Sequence, residues 1–285
     1  MKTKLILKSG TALVSIALLM FASCKKDKAE EDRDGTSAVE YAMADAAFGD
    51  VASISDEAYD GSLESYRVIG GGAEKVMTTC ATISFDTTVT PKTLTVDFGT
   101  SDCLCNDGNY RRGKIIVSWN LPYRDSGSSH SITFDNYFVN YNQLLGTKTV
   151  VNNGRNSAGK LSYTVTVNGS IVWDPQYFGG GGTSTYTSTR TRVWTTGEGT
   201  ATWLDDVYHI SGSASGTTRA GSSYTMLVTT PLKKEIGFKH LTGGILEFTP
   251  AGKYTRTIDY GYVNGLRDAL AKVTINAYVF TIQLK

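Results

Sequence analysis

The feature that most constrains this chain is a long succession of strand-like segments with almost nothing helical between them. From Val76 onward, short runs rich in Thr, Val, Ile, Tyr and Phe alternate apolar with polar side chains, as in Leu161-Ser162-Tyr163-Thr164-Val165-Thr166-Val167. A period of two puts successive side chains on opposite faces of a sheet. The expected strands are Thr79–Phe85, Thr93–Phe98, Lys114–Trp119, Ser131–Val139, Thr147–Val151, Leu161–Val167 and Arg190–Thr195. Thr200–Leu204, Tyr208–Ser213, Ser223–Thr229, Gly244–Phe248, Lys253–Asp259, Ala271–Asn276 and Tyr278–Leu284 continue the series. Turn signals fall between them: Thr90-Pro91-Lys92, Asn106-Asp107-Gly108-Asn109, Asn152-Asn153-Gly154, Asn168-Gly169 and Pro250-Ala251-Gly252. These gaps suit hairpins, since a parallel pair needs a crossover of about a dozen residues or more. The fold class that follows is mainly β. Residues 73–285 should form a large antiparallel up-and-down sheet, curved into a half-barrel or folded as a sandwich, with one N-terminal helix.

The helix is read upstream of the strands. Ser37-Ala38-Val39-Glu40 has the pattern of a capping box, in which Ser and Glu satisfy each other's orphan backbone donors. Val39, Met43, Ala46, Ala47, Asp50, Val51 and Ile54 follow at near-helical spacing. A helix is therefore expected from about Ala38 to about Tyr59, with a break near Gly49. Gly70-Gly71-Gly72 then closes a segment, residues 37–72, of helix and Gly-rich joint.

The first 23 residues have another purpose. Lys2, Lys4 and Lys8 precede an apolar run from Thr11 to Phe21, and Phe21-Ala22-Ser23-Cys24 follows. A basic start, a short apolar core and small residues before a cleavage point make an export signal. The run is shorter than the roughly 20 residues needed to cross a bilayer. Ala22-Ser23-Cys24 resembles the lipobox of bacterial lipoproteins, with Phe21 where Leu is more usual. The resemblance implies a signal peptide over residues 1–23 and lipidation of Cys24. Stable anchoring takes about two acyl chains, at about 0.8 kcal/mol per buried methylene. Residues 24–36 are then a charged tether containing Lys25-Lys26-Asp27-Lys28-Ala29-Glu30-Glu31-Asp32, a composition that stays solvated. Such a tether after the cysteine is similar to that of Bacteroidota lipoproteins, which implies the outer membrane and its cell-surface face, with the periplasmic leaflet as the alternative. An anchored chain of this kind weighs against a membrane-spanning barrel.

The block Cys80–Thr149, with Asp97-Phe98-Gly99, Arg112-Gly113-Lys114-Ile115 and Phe134-Asp135-Asn136-Tyr137, resembles uncharacterised β-rich lipoproteins of the Bacteroidota. That resemblance implies class and location and carries no activity with it. Within the chain, Thr93-Leu94-Thr95-Val96-Asp97-Phe98-Gly99 is echoed by Thr255-Arg256-Thr257-Ile258-Asp259-Tyr260-Gly261. The echo marks either two similar ends of one sheet or an internal duplication.

Charge and cysteines narrow the partners. Without residues 1–23 the chain carries 25 Lys and Arg against 27 Asp and Glu, a net of −2. That excludes the basic stripe of a nucleic-acid binder. Cys80, Cys103 and Cys105 remain beside Cys24, and in an oxidising envelope two of them should pair. A Cys80–Cys103 bridge would clip the open end of a hairpin, and Cys105 is the rival partner for Cys80. Cys103 and Cys105 stand too far apart on extended chain to bridge each other. A zinc site at these cysteines would need four N or S ligands, and no His lies nearby.

No catalytic signature appears. His130, His209 and His240 are scattered, and no nucleophile elbow or phosphate-binding loop is present. Gly179-Gly180-Gly181-Gly182 is a flexible loop, and Asp205-Asp206 reads as a pair of turn acids. The candidate ligand-stacking residues are Trp119, Trp173, Trp194 and Trp203, joined by Tyr163, Tyr177 and Tyr186. The expected function is a lipid-anchored envelope protein, not an enzyme and without cofactor or metal. It would have a binding or structural role toward glycan or another envelope component. A carrier sheltering a hydrophobic ligand between sheet and helix is the alternative, and a glycan-active enzyme the second.

Overall fold

The structure is a computed structural model that describes residues 36–63, 80–176, 180–200, 205–236, 238, 240–261 and 269–284. The signal, Cys24, the tether, the Gly70-Gly71-Gly72 joint, Tyr177 and Trp203 lie outside the described residues.

Among the described residues one helix, α1 (Thr36–Leu63), precedes fourteen strands. They are β1 (Thr82–Asp86), β2 (Lys92–Asp97), β3 (Cys103–Leu104), β4 (Tyr110–Trp119), β5 (Ser129–Val139), β6 (Asn142–Arg155) and β7 (Leu161–Trp173). Then come β8 (Gly182–Thr196), β9 (Val207–Thr217), β10 (Ser223–Glu235), β11 (Gly243–Pro250), β12 (Arg256–Asp259), β13 (Leu270–Ile275) and β14 (Tyr278–Gln283). All belong to a single antiparallel sheet that does not close. The order follows the sequence from β1 to β14, with β3 paired to β4 beside the main path. This is the up-and-down sheet that the hairpin spacings dictate.

The sheet curls around α1 as an open trough. Tyr41 packs on Tyr186 of β8, Tyr224 of β10 and Phe248 of β11, while Phe48 packs on Phe134 of β5 and Tyr186. One continuous core joins these rings to Leu94 and Val96 of β2 and to Val273 and Ile275 of β13. A single helix that touches strands this far apart requires a curved sheet, and the half-barrel expectation is the form taken.

Charge pins the helix in register with the trough. Glu40, Asp45 and Asp50, spaced by five, meet Arg219, Arg190 and Arg111 at 2.9, 2.8 and 2.6 Å. The structure differs from the sequence reading in the details of this helix. Helix α1 already begins at Thr36. Glu40 does not turn back to cap it, because its carboxylate accepts from the backbone N–H and Nε of Arg219. The buried stripe is Tyr41, Ala44, Phe48, Val51 and Ile54, whereas Val39 is 58% exposed. The helix also runs unbroken through Gly49.

Two turn signals prove to lie inside strands. Asn152-Asn153-Gly154 sits in the bulged end of β6, and Asn168-Gly169 sits in the middle of β7. Gly169 is there because α1 leaves no room for a side chain. A Cβ on it would stand 2.3 Å from the Phe48 ring. Its cross-strand partner Gly146 has φ +112°, and a Cβ there would come 2.2 Å from the Asn168 carbonyl oxygen.

Cys80 and Cys103 form the disulfide, with Cα atoms 5.8 Å apart. Cys105 is a buried free thiol.

Candidate functional site

Because Tyr186, Ser188 and Arg190 of β8 face the trough, Thr183, Thr185, Thr187, Thr189 and Thr191 all face outward and are exposed. Strand pairing sets other hydroxyls beside them. One row runs Thr187, Ser215, Thr225, Thr249 across β8 to β11, and the next runs Thr189, Ser213, Leu227, Glu247. Neighbouring strands lie about 4.8 Å apart and i, i+2 residues about 6.7 Å apart, so the hydroxyls form a regular two-dimensional array. Toward its edges the array bonds to itself: Thr185 and Thr217 share a hydrogen bond of 2.9 Å, and Thr249 and Thr255 one of 2.8 Å.

Across these two rows the outer surface dips into a shallow groove of about 560 Å³. Ser and Thr hydroxyls each donate and accept, so the groove offers both halves of every hydrogen bond a polyhydroxylated ligand can make. Glu247 adds one carboxylate that can accept from two vicinal hydroxyls. Leu227, 52% exposed, supplies an apolar patch against C–H groups. Among the rows named, Glu247 is the only ionisable side chain, so the groove suits a neutral partner.

The tryptophans named from the sequence are not on this face. Trp119, Trp173 and Trp194 are 7%, 3% and 3% exposed. Trp119 stacks on His130 and meets Phe85 edge-on. The Trp173 indole N–H donates to Ser184 at 2.8 Å, with the Arg219 guanidinium over the ring. Trp194 lies against Tyr208, with the Arg124 guanidinium 4.5 Å from its ring centre. None offers the open ring that stacking on a sugar needs, and these three are corrected to core residues. The reason is curvature: large inward side chains fill the interior of a sheet bent this tightly. Of the tyrosines, Tyr163 and Tyr186 are buried as well.

A second cluster lies in the trough beside α1. Tyr123 stacks on Tyr163, and the Arg192 guanidinium lies 4.8 Å from the Tyr208 ring centre and hydrogen-bonds the Tyr123 hydroxyl. The cavity that reaches this cluster, between Ala52, Trp119 and Arg192, has a volume of about 50 Å³. It has room for a few water molecules.

At the rim of this cluster the Asp206 carboxyl is buried, and its pKa is pushed up to about 6, chiefly by desolvation and then by neighbouring Asp205, against the indole of Trp194. Gly197 packs directly over it, since a Cβ there would come 2.2 Å from Asp206 Oδ1. Asp205 is exposed and accepts from the Thr200 hydroxyl at 2.9 Å. His209 is exposed on β9, and burial pulls the pKa of His130 down. Among the described residues no three His, Cys, Asp or Glu side chains are grouped so as to hold a metal ion.

Sequence reasoning missed the hydroxyl array because it looked for rings. The signal was present as Thr at every second position from 183 to 191. No protein-family model, curated protein or solved structure matches this chain.

Proposed function

We propose that this chain is an exported lipoprotein, held at the outer membrane by lipid on Cys24, that binds a neutral glycan on the outer face of β8 to β11. The observation that carries the reading is the groove of about 560 Å³ floored by Thr187, Ser215, Thr225 and Thr249, with Leu227 and Glu247 beside them. Pockets of this size hold small ligands or a few units of a polymer. The binding is non-catalytic. The ionisable residues Asp206, Arg192 and His130 belong to the packed cluster in the trough and not to the groove. The charged stretch from Lys25 to Asp34 supports the anchor by keeping the domain off the bilayer. The same stretch supports the cell-surface face over the periplasmic one.

Three experiments test this. Metabolic labelling with an alkyne fatty acid should mark the wild-type chain and leave Cys24→Ala unlabelled and released from membranes. Protease added to intact cells should remove the domain, and a domain that survives shaving contradicts surface display. A panel of neutral and acidic polysaccharides should then show retention by neutral members only. Binding confined to acidic polysaccharides contradicts the proposal.

A further inference from the structure

Each acid that α1 turns toward the sheet has its own arginine: Glu40 meets Arg219, Asp45 meets Arg190 and Asp50 meets Arg111. The acids are spaced by five, and the next position in that series is Ser55. Ser55 is buried and uncharged, and its hydroxyl donates to the Val51 carbonyl at 2.7 Å. The series of acids stops there, but the arginines of the trough do not.

Arg192 follows Arg190 on the same face of β8. Residues i and i+2 of a strand are about 6.7 Å apart, so two cationic side chains leave the strand as neighbours. Asp45 balances Arg190. Among the described residues Arg192 has no such acid. Around its guanidinium stand the rings of Tyr123, Tyr163 and Tyr208, and it donates to the Tyr123 hydroxyl. Its Nε is buried and has no hydrogen-bond partner. A guanidinium stays charged and presents its donors as a planar fork, the geometry that a carboxylate accepts from.

The cavity of about 50 Å³ adjoins this guanidinium, and Ser55 is part of its wall. His130 also lines it, and His130 Nε2 is a second buried nitrogen with no hydrogen-bond partner. Burial pulls the His130 pKa down, so its imidazole is uncharged at neutral pH and can donate one N–H. Much of the remaining wall is apolar, from Leu94, Val117, Ile132 and Val150. Arg192 and Tyr123 are half-buried, so this end of the cavity communicates with solvent. Polar donors at one end and apolar walls behind them suit a small molecule with a charged head and a short alkyl end.

We propose that this cavity is a binding site for a small monocarboxylate of the size of acetate or propionate, with its carboxylate on Arg192 and its alkyl end against Leu94, Val117 and Ile132. The carboxylate takes the place that an acid at position 55 would fill. It accepts from the Arg192 Nε–H, which has no other partner, and from the His130 imidazole. A neutral molecule of the same shape leaves the guanidinium unpaired, and a bare anion leaves the apolar walls uncovered. The site is on the inner face of the sheet and shares no residue with the groove on the outer face, so it does not depend on glycan binding.

Calorimetric titration of sodium propionate into the full chain in detergent tests the site. Wild type should show saturable binding, and its melting temperature should rise with propionate and level off. Propionamide, with the same shape and no charge, should give neither response. Sodium chloride at equal concentration should not reproduce the rise. Arg192→Gln should weaken propionate binding by about tenfold or more. Arg192→Lys keeps the charge but loses the fork, and should fall between wild type and Arg192→Gln. A cooperative melt without ligand checks that each variant is folded, and the comparison of propionate with propionamide needs no variant. No saturable binding to wild type, an equal response to propionamide or to chloride, or undiminished binding by folded Arg192→Gln each overturns the proposal.

Discussion

Asp50 on α1 and Arg111 on β4 meet at 2.6 Å, although sixty-one residues separate them. The Arg111 side chain is fully buried, and its other carboxylate partner is Asp107, also at 2.6 Å. With two acids on one buried guanidinium, Arg111 is held in its charged form. A buried cation is tolerated only while its partners remain. Asp50→Ala should therefore cost about 3 kcal/mol, the low end of the range for a broken buried pair because Asp107 stays. Urea unfolding should show a lower midpoint with the same slope. An unchanged midpoint would mean that the helix is not held by this contact.

The Gly169–Phe48 contact makes a second prediction. Gly169→Val forces the Phe48 ring out of its dent and should cost roughly 1–3 kcal/mol, as overpacking does. Adding Phe48→Ala should recover part of that loss, since the two positions touch and their effects cannot add. Strict additivity in the double variant contradicts the dent.

Asp206 gives stability a pH dependence of known sign. Its folded pKa, about 6, lies above the ordinary carboxyl value. The contribution of this group is therefore fully present below about pH 4 and lost as pH rises through 6. Asp206→Asn should leave stability unchanged near pH 4 and raise it by roughly 1–3 kcal/mol above pH 7. Thermal melts of both proteins across that window measure the difference. A variant less stable at pH 8 than at pH 4, relative to wild type, contradicts the assignment.

The Cys80–Cys103 bridge joins residues 23 apart. Replacing both cysteines with Ser should cost roughly 3 kcal/mol by the chain-entropy model. Buried Cys105 should react with a thiol reagent only on unfolding. Prompt labelling of Cys105 in the native protein would place it at the surface.

The sheet was legible because its signal is repeated. Leu161 to Val167 alternates without a fault, and every gap between strands suits a hairpin. What failed was local chemistry that the tertiary structure claimed for another use. Asn168-Gly169 reads as a turn in isolation, yet the missing Cβ of Gly169 serves α1. Glu40 has the spacing of a cap, yet Arg219 takes its carboxylate. Val39 looks like part of the buried stripe, but the core prefers the Tyr41 and Phe48 rings, three and four positions on either side of Ala44. Trp119, Trp173 and Trp194 do lie in strands, but sequence does not say which side of a strand a curved sheet turns inward. For the groove the converse holds. Thr183 to Thr191 was visible as a pattern, but only the pairing with Ser213, Ser215 and Thr225 makes it an array.

The central claim is that this array binds neutral glycan, and the most direct measurement is calorimetric titration of the polysaccharide retained in the panel. The titration is run with wild type and with Thr187→Val/Ser215→Ala/Thr225→Val. These substitutions keep β propensity or small size while removing three groove hydroxyls. The account predicts tenfold or more weakening, at least about 1.4 kcal/mol, with the melting temperature held. Equal affinity in the two proteins, both folded, would contradict it.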